Sequence, residues 1–334
     1  MPKLKKQTFS EKLIQWQLTE GRHDLPWLST RDPYHRWIAE IMLQQTQVQT
    51  VIPYYEAFLQ RFPTIEDLAS ASEEEVLKVW SGLGYYSRAR NLFHCAQTVM
   101  EKFDGKFPMD PKVLSTLKGI GSSTAGAIVS ACTGEPHLVL DANVKRVMAR
   151  IGNISSPLGT SDFNKDVKEL AIQFLPKKQG DVYSQALMDL GATVCSKQPQ
   201  CLFCPVSEFC KALQEGQPEA LPTKKEKAPK PVVRQAYALT VQNGKVLLER
   251  RPTHSYWGGL WALPELGRPR LSETSIKTIK HTFSHFTLEM EIFRRKPEDV
   301  PLVGSWRWFG KKEILQGALP ASIKKLLSEY SAIR

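Results

Sequence analysis

Leu117-Lys118-Gly119-Ile120-Gly121-Ser122-Ser123-Thr124-Ala125-Gly126-Ala127 decides the fold of the larger part of the chain. Two glycines in a short stretch, followed by residues that cap helices well, predict a tight turn between two helices. Glycines let backbone N–H groups approach a ligand closely, and a helix start carries partial positive charge, so a turn at Gly119 and Gly121 is suited to one phosphate group. A simple packing joint between two helices would have the same sequence, so the context has to decide.

Twenty residues beyond Gly121, the run Val139-Leu140-Asp141-Ala142-Asn143-Val144 places an aspartate between an apolar pair and a helical pattern. The ordinary role of Asp141 would be to cap the following helix. In a functional role, its carboxylate would stay ionised beside helix N–H groups and lie close to a positive centre that forms on a sugar. A helix-hairpin-helix followed by Leu-Asp at this distance is more specific than either piece, which favours the functional role.

Four of the six cysteines crowd into one segment, with five, two and five residues between them: Cys195, Cys201, Cys204 and Cys210. Such crowding indicates a metal site in a reducing compartment. Zinc sites made of four cysteines usually contain two Cys-x-x-Cys pairs, whereas this segment has one, followed by Pro205. The spacing therefore favours a [4Fe-4S] cluster over zinc, which stays open, and we expect a structural role for the metal.

Length and composition indicate a globular protein of about two domains, since the chain has 334 residues, 42% hydrophobic and 24% charged. No run reaches the about 18 apolar residues of a membrane span. The basic start is followed by Glu11, Lys12, Gln15 and Gln17, where a signal peptide needs an apolar stretch. We therefore expect a cytoplasmic protein that does not enter a membrane.

The net charge of +11 suggests an anionic partner, but it is unevenly placed. Residues 1–215 carry 24 basic and 23 acidic residues, net +1, whereas residues 216–334 carry 21 and 11, net +10. A nucleic-acid site in the larger part must therefore be a local arrangement of residues.

The pattern of apolar residues divides the chain into three parts. Residues 1–215 are expected to be helical, because apolar residues recur at helical spacing and few runs alternate. Residues 216–233, rich in Pro and Lys, are expected to be a linker. Residues 234–334 are expected to form an α+β domain, because the runs at 235–241 and 245–250 predict two strands joined by a hairpin turn at Asn243-Gly244.

With hairpin, aspartate and cysteine loop in this order, the chain resembles the helix-hairpin-helix DNA glycosylases that hold an iron-sulfur cluster. Within them, Glu40-Ile-Met-Leu-Gln-Gln-Thr-Gln-Val and Gly82-Leu-Gly-Tyr-Tyr-Ser-Arg-Ala-Arg are similar to the adenine glycosylases of the MutY family. The resemblance implies an all-α helix-hairpin-helix domain, with the motif at about 113–132 and a [4Fe-4S] loop at 195–210. One departure is the five residues between Cys195 and Cys201, where six are expected in the family.

The resemblance implies hydrolysis of the N-glycosidic bond of adenine mispaired with 8-oxoguanine or guanine, in base excision repair of duplex DNA. Such a reaction needs an acid that protonates the base, expected at N7, and a carboxylate that stabilises the positive sugar. Glu40 lies among apolar residues, which predicts a raised pKa and the role of the acid. Asp141 is expected to face the sugar, and Asn143 to orient the site or the DNA backbone.

Position 123 bears on the second half of the reaction. Glycosylases that also cut the strand carry a nucleophilic lysine at the corresponding place, whereas this chain has Ser123. The resemblance therefore implies a monofunctional enzyme in which water completes the reaction and leaves an abasic site.

Further contacts are implied by resemblance alone. Gln45 and Tyr85 are expected to insert into the base stack around the mismatch, because the adenine must leave the helix. Gln185 is expected near the base, where a glutamine can contact N6 and N7 of adenine. Trp27 is expected to line the same pocket. Leu28 stands where relatives often have a basic residue, so one contact is expected to be missing or supplied elsewhere.

The second domain resembles the Nudix fold through Trp257-Gly-Gly-Leu-Trp-Ala-Leu-Pro264. Residues 265–280 contain only Glu265 and Glu273 as acids, so the magnesium-dependent Nudix hydrolysis is expected to be absent. The domain is expected to recognise 8-oxoguanine through Phe283, Ser284 and His285, and its charge suits contact with phosphates.

The expected partner is double-stranded DNA with an 8-oxoguanine:adenine or guanine:adenine mispair, bound by a monomer in a bacterial-type cytoplasm at the nucleoid. Two alternatives stay open: another glycosylase activity on the same scaffold, such as an endonuclease III-like lyase or a thymine glycosylase, and a non-catalytic lesion binder. Ser123 opposes the lyase, and the presence of both Glu40 and Asp141 opposes the binder.

Overall fold

The computed structural model describes residues 7–225, 229–267 and 273–329, which form two compact units. The first unit combines residues from 1–55 with residues from 95–227, and the second combines residues from 56–94 with residues from 228–334. The domain boundaries expected at 215 and 234 stay a prediction. The two units differ from the expected domains because residues 56–94 are grouped with the C-terminal part of the chain. The basic start at 1–6, part of the linker at 226–228, and 268–272 within the acid-poor segment lie outside the described residues.

Helices dominate the first unit and are also present in the second. In chain order the described α-helices are α1 (Phe9–Glu20), α2 (Pro33–Leu43), α3 (Val48–Arg61), α4 (Ile65–Ser70), α5 (Glu73–Val79), α6 (Ser87–Phe103), α7 (Pro111–Leu114), α8 (Ser122–Thr133), α9 (Ala142–Gly152), α10 (Ser161–Gln173), α11 (Gly180–Thr193), α12 (Lys211–Gln214), α13 (Lys311–Gln316) and α14 (Ala321–Glu329). Short 3₁₀ helices cover Pro26–Ser29, Cys201–Phe203, Ser207–Phe209, Pro218–Ala220 and Pro297–Asp299. None of the described helices is long and apolar enough to span a bilayer.

Local signals explain where α2 begins. The Asp32 carboxylate accepts a hydrogen bond from the Tyr34 N–H at 2.7 Å, and Pro33 occupies the first helical position, where an N–H is not needed. The inner face of α2 then consists of apolar residues at helical spacing, each at most 2% exposed: Trp37, Ile38, Ile41 and Met42. This face fixes the rotation of α2, which packs against α8.

Helix α11 packs against α1, α8 and α9 at the centre of the first unit. Glycines allow two of these close approaches. A Cβ on Gly180 would lie 2.3 Å from the Glu135 carbonyl oxygen, and a Cβ on Gly191 would lie 2.6 Å from the Cβ of Asn143. Any larger side chain at Gly191 would therefore push α11 away from the start of α9, where Asp141 and Asn143 lie.

The second unit contains two small sheets with α4, α5, α13 and α14. Its strands are β1 (Val232–Leu239), β2 (Val241–Gln242), β3 (Lys245–Arg250), β4 (Trp261–Ala262), β5 (Lys277–Thr282), β6 (Thr287–Arg294) and β7 (Trp306–Phe309). In one sheet β6 lies between β1, parallel to it, and β5, antiparallel to it. In the other, β3 pairs antiparallel with β2, β4 and β7. The helical and α+β fold classes are thus confirmed.

Asn243 and Gly244 form the predicted hairpin turn. Their φ angles of +50° and +70° are those of a type I′ turn, and β2 and β3 pair antiparallel on either side. The prediction of the strand before the turn was wrong in its partner. Residues 232–239 form β1, which pairs in parallel with β6, so pairing across the hairpin is limited to Val241, Gln242 and a hydrogen bond from the Leu247 N–H to the Thr240 carbonyl. The alternation of residues along a strand does not encode which strand it pairs with.

The first part of the expected linker is ordered within the first unit. Pro218 and Leu221 are buried, and the Leu221 carbonyl accepts a hydrogen bond from the Arg150 Nε at 3.0 Å. Strand β1 begins at Val232, before the expected end of the linker at 233.

Candidate active site

The predicted helix-hairpin-helix is formed by α7, a turn at 115–121 and α8. Gly119 has a φ of +86°, a left-handed conformation that favours glycine. Gly121 is the N-cap of α8. Because glycine has no side chain, it cannot cap the first N–H groups of this helix. The hydroxyl groups that follow were expected to cap the helix. Instead the Ser123 Oγ accepts a hydrogen bond from the Leu140 N–H at 2.9 Å, and so ties the residue before Asp141 to α8.

Asp141 is the N-cap of α9, and its carboxylate accepts a hydrogen bond from the Val144 N–H at 2.7 Å. Burial raises the pKa of Asp141 above its usual value, while hydrogen bonds from Val144 and Asn143 and the charge of Arg146 oppose that rise. The sequence predicted the amide donors but not the burial. Asp141 therefore both caps α9 and contributes a carboxylate to the candidate site.

Glu40 lies on α2, one helical turn after Arg36. Burial is the main cause that raises the pKa of Glu40 to about 7. The negative charge of Asp141 acts in the same direction, and the Arg36 guanidinium opposes both. A carboxyl group with this pKa holds a proton in a large share of molecules at neutral pH, which suits a general acid.

Glu40 lines a pocket of about 190 Å³ that is open to solvent on one side. Gln185 and Leu28 line the same pocket, so the structure brings together three positions that the sequence singled out. The other residues that line it are Gln17, Leu18, His23, Arg36, Ala127, Ala131, Asp181, Val182, Ser184 and Met188.

Trp27 is placed away from this lining. It is 4% exposed and packs edge-on against Tyr55, with 5.5 Å between ring centroids. In this structure it acts as a core residue beside the site.

The amide of Gln185 is held by Asp189, a residue that the sequence analysis missed. Asp189 is fully buried, and it accepts hydrogen bonds from Gln185 Nε2 at 2.8 Å and Gln17 Nε2 at 2.9 Å. Arg22 completes the set with an ion pair at 2.6 Å. Because a carboxylate only accepts hydrogen bonds, both glutamines must turn their NH₂ groups toward Asp189.

A chain of hydrogen bonds links Asp141 to the cysteine segment. Asn143 donates to the Asp141 carboxylate from its backbone and its side chain. The Asn143 side-chain oxygen accepts from Arg146 Nη2 at 2.8 Å, and Arg146 Nε donates to the Cys195 carbonyl at 2.9 Å. Asn143 is thus placed to orient Asp141, and Arg146 is a further positioning residue that the sequence analysis missed.

All four clustered cysteines are free thiols that line one cavity, together with Arg150. Arg150 is 2% exposed and donates to the Cys195 sulfur at 3.3 Å and to the Ser196 carbonyl at 2.6 Å. Backbone N–H groups also point at the sulfurs of Cys204 and Cys210. Buried cationic and amide donors stabilise thiolates, so the donor set fits a thiolate-bound metal group. Among the described residues, no three His, Cys, Asp or Glu side chains are already set at metal-binding geometry.

Gln45 and Tyr85 are exposed and share an unusual backbone. Their φ angles are +56° and +48°, in the left-handed region that residues other than glycine rarely adopt. Gln45 follows the end of α2 in the first unit. Tyr85, 52% exposed, belongs to the second unit, where the Arg88 guanidinium lies 5.4 Å from its ring centroid.

In the second unit, Phe283, Ser284 and His285 occupy the turn between β5 and β6. Phe283 stacks on Phe286 at 4.7 Å and also contacts His281 at 4.5 Å, so it belongs to an aromatic cluster. Ser284 and His285 are exposed, and the Ser284 hydroxyl lies 3.2 Å from the His285 Nδ1. Two of the three side chains are therefore available to a ligand, whereas Phe283 is occupied by packing.

Comparisons with known proteins agree with this geometry. Residues 38–171 match the HhH-GPD superfamily base excision DNA repair protein family, and residues 236–329 match the NUDIX domain family. In solved structures, a thermostable thymine-DNA glycosylase is 28% identical with a TM-score of 0.55, over 62% of this chain and 95% of that one. An endonuclease III–DNA complex, 23% identical with a TM-score of 0.53 over 62% and 94%, shares the fold.

Sequence relatives cover most of the chain. The adenine DNA glycosylase of Buchnera aphidicola subsp. Baizongia pistaciae is 36% identical over 84% of this chain and 84% of its own length. The adenine DNA glycosylase of Mus musculus is 33% identical over 96% of this chain and 78% of its own. The chain belongs to the adenine DNA glycosylase family.

Proposed function

We propose that this protein removes adenine from duplex DNA where it is mispaired with 8-oxoguanine or guanine. The observation that carries the proposal is the pairing of two unlike carboxyl groups. Glu40, with a pKa of about 7, lines the pocket described above, and the negative charge of Asp141 helps to raise that pKa. Asp141 is itself held by a helix amide. This is the arrangement that hydrolysis of a glycosidic bond requires.

In the proposed mechanism Glu40 gives its proton to N7 of the extruded adenine, which makes the base a better leaving group. The bond between C1′ and the base breaks, and its electron pair leaves with the adenine. Asp141, oriented by Val144 and Asn143, stabilises the positive charge that develops on the sugar. Water then adds at C1′ and leaves an abasic site.

The absence of strand cleavage is proposed from position 123. Ser123 cannot act as the amine nucleophile of a lyase, and its hydroxyl is already bonded to the Leu140 N–H. We therefore expect base release to precede any strand break.

DNA contacts are assigned to exposed or uncapped groups. The turn at Gly119 and Gly121 offers N–H groups at the start of α8 to one phosphate. Gln45 and Tyr85, exposed on strained backbone, are proposed to insert into the base stack, and Gln185 is proposed to contact the base. Trp27 supports the pocket from the core.

Recognition of 8-oxoguanine is assigned to Phe283, Ser284 and His285 in the second unit. The exposed Ser284 hydroxyl can hydrogen-bond the altered edge of the base, and His285 can stack, while Phe283 holds the turn through its aromatic neighbours.

Cys195, Cys201, Cys204 and Cys210 are proposed to hold a [4Fe-4S] cluster. Their shared cavity and the buried Arg150 support this, and when bound the cluster would stabilise the loop by cross-linking it. The protein is further proposed to work as a monomer in the cytoplasm, at the nucleoid.

The test is a single-turnover assay on duplexes with adenine opposite 8-oxoguanine, guanine or thymine, each with and without alkali. We expect base loss from the duplexes with adenine opposite 8-oxoguanine or guanine. Strand breaks at these sites should appear only after alkali treatment. Strand cleavage without alkali, at the rate of base release, would contradict the hydrolytic mechanism, and binding without base loss would contradict the enzymatic role.

A further inference from the structure

Arg36 brings a guanidinium into the pocket beside Glu40. The two residues are four apart on α2, so they lie on one helix face, and both line the pocket. The charged or titratable groups that face Arg36 are Glu40, Tyr55, Cys132 and Asp181. None of the described carboxylates forms an ion pair with Arg36, and Asp181 pairs with Arg31 at 2.7 Å.

Most of the hydrogen-bonding capacity of Arg36 is unused. Its Nε donates to the Thr30 carbonyl at 2.8 Å, which fixes the plane of the guanidinium. Across the described ranges of the chain, no acceptor takes a hydrogen from either Nη atom. Arginine stays protonated at neutral pH and carries four N–H groups on these two atoms. A half-buried guanidinium at a pocket wall is suited to an acceptor on a ligand, because a hydrogen bond from a charged donor is stronger than one between neutral groups.

The other residues that line the pocket limit which atom of the ligand Arg36 can contact. Gln185 has its NH₂ turned toward Asp189, so its carbonyl oxygen is left to accept from an exocyclic amine. Protonated Glu40 supplies one donor, which the mechanism uses at N7. Leu28 is apolar and supplies no donor. Adenine has two further acceptors, the ring nitrogens N1 and N3. His23 and Ser184 also line the pocket, but Arg36 is the lining residue that carries a permanent positive charge and several N–H groups.

We propose that Arg36 is a base-contacting residue whose Nη groups donate a hydrogen bond to N1 or N3 of the extruded adenine. It thereby supplies, from α2, a charged donor to a pocket in which Leu28 offers only an apolar side chain. The inference rests on the proposed function, since it assumes that adenine enters this pocket.

Arg36→Met tests the contact because it keeps most of the length of the side chain and removes every donor. Arg61→Met is the matched control: it removes the same charge from a side chain that is 51% exposed and pairs with Glu75, and neither residue lines the pocket. Single-turnover rates are measured with the full chain on duplexes with adenine, 1-deazaadenine or 3-deazaadenine opposite 8-oxoguanine. Unfolding temperatures of all variants are measured alongside.

We expect Arg36→Met to slow release of adenine at least about tenfold, the factor typical of a lost charge-assisted hydrogen bond, and Arg61→Met to keep the wild-type rate. On the deaza base that lacks the contacted nitrogen, wild type and Arg36→Met should be equally slow, because the contact is already gone. This result identifies N1 or N3. If Arg36→Met does not fold, Arg36→Lys, which keeps the charge as a single point donor, is measured on the same three bases.

Two results would overturn the inference: an unchanged rate in the Arg36 variant, or an equal loss on adenine and on both deaza bases, which would assign Arg36 a purely structural role. The wild-type rate on adenine distinguishes failure of the proposed function from failure of the Arg36 contact alone. If the wild type releases no adenine, the proposed function fails; if it does and the variant behaves alike, only the inference about Arg36 fails.

Discussion

The hydroxyl of Ser123 accepts a hydrogen bond from the backbone N–H of Leu140 at 2.9 Å. Ser123 lies in the first turn of α8 and Leu140 immediately precedes Asp141, so this bond joins the hairpin to the segment that carries the proposed sugar-facing carboxylate. The residue that replaces a lyase nucleophile is therefore used to position its neighbour.

Ser123→Ala tests this coupling. The substitution leaves the half-buried Leu140 N–H without its partner, so we expect unfolding to become easier by about 1 kcal/mol and base release to slow by less than about tenfold. Ser122→Ala is the control, because Ser122 is exposed and has no such bond. Thermal unfolding and single-turnover rates measure both effects, and equal behaviour of the two variants would contradict the coupling.

Base release should depend on pH through Glu40. Its pKa is raised from 4.5 to about 7, so the proton is present below pH 7 and is lost above it. The single-turnover rate should be highest on the acidic side and fall about tenfold per pH unit above that pKa. Glu40→Gln cannot give up a proton, so its rate should be slow and flat across the same range. A wild-type rate that rises through pH 7 would assign the acid to another group.

The raised pKa of Glu40 also makes the free energy of unfolding depend on pH. A carboxyl whose pKa is higher in the folded state contributes stability below its unfolded pKa, and this contribution is lost as pH rises through about 7. The stability of Glu40→Gln relative to wild type should therefore increase between pH 5 and pH 8, which chemical denaturation at both pH values measures.

Much of this site follows from local sequence, and the rest depends on distant pairs. The hairpin, the N-cap at Asp141 and the apolar surroundings of Glu40 are encoded within a few residues of each motif. Asp189 is bonded by Arg22, which lies 167 positions away, and Arg146 bonds to Cys195, 49 positions away. The parallel pairing of β1 with β6 is equally non-local. Such contacts are set by packing of the whole unit, so no local pattern predicts them.

Arg146→Met should disturb both ends of the hydrogen-bond chain. Arg146 donates to the Asn143 side chain, to the Gly191 carbonyl at 2.5 Å and to the Cys195 carbonyl. Its loss removes the donor from all three, although the Cys195 carbonyl keeps a hydrogen bond from Arg150 Nη1 at 3.2 Å. We expect a destabilisation of about 2–4 kcal/mol and a rate loss of about tenfold or more. Lys145→Met is the neighbouring control, since Lys145 bonds to Asn164 on α10. A variant that unfolds earlier but keeps the wild-type rate would restrict Arg146 to a role in stability.

The cysteine assignment is tested by iron content. Cys201→Ser should lower the bound iron and acid-labile sulfide and reduce the unfolding temperature, because a group that binds only the folded protein stabilises it. Cys132→Ser is the control, as Cys132 stands alone in the sequence and does not line the four-cysteine cavity. Zinc in place of iron in the wild type would favour the alternative metal, and equal iron in both variants would contradict the assignment.

Ser284 and Phe283 should give separable effects if they recognise 8-oxoguanine as proposed. Ser284 is exposed, so Ser284→Ala should leave the unfolding temperature unchanged and reduce the preference for 8-oxoguanine over guanine opposite adenine, by about tenfold for one lost hydrogen bond. Phe283 is half-buried and packs against Phe286, His281, Tyr256 and Trp257, so Phe283→Ala should destabilise the second unit by about 1–3 kcal/mol.

Thr282→Ala controls for loss of an exposed hydroxyl next to the triplet. Rates on the two mispairs, divided by each other for every variant, isolate recognition from general loss of activity, because a merely destabilised unit lowers both rates together. A ratio that stays at the wild-type value in Ser284→Ala would remove this side chain from recognition. The preference would then have to come from His285 or from another part of the protein.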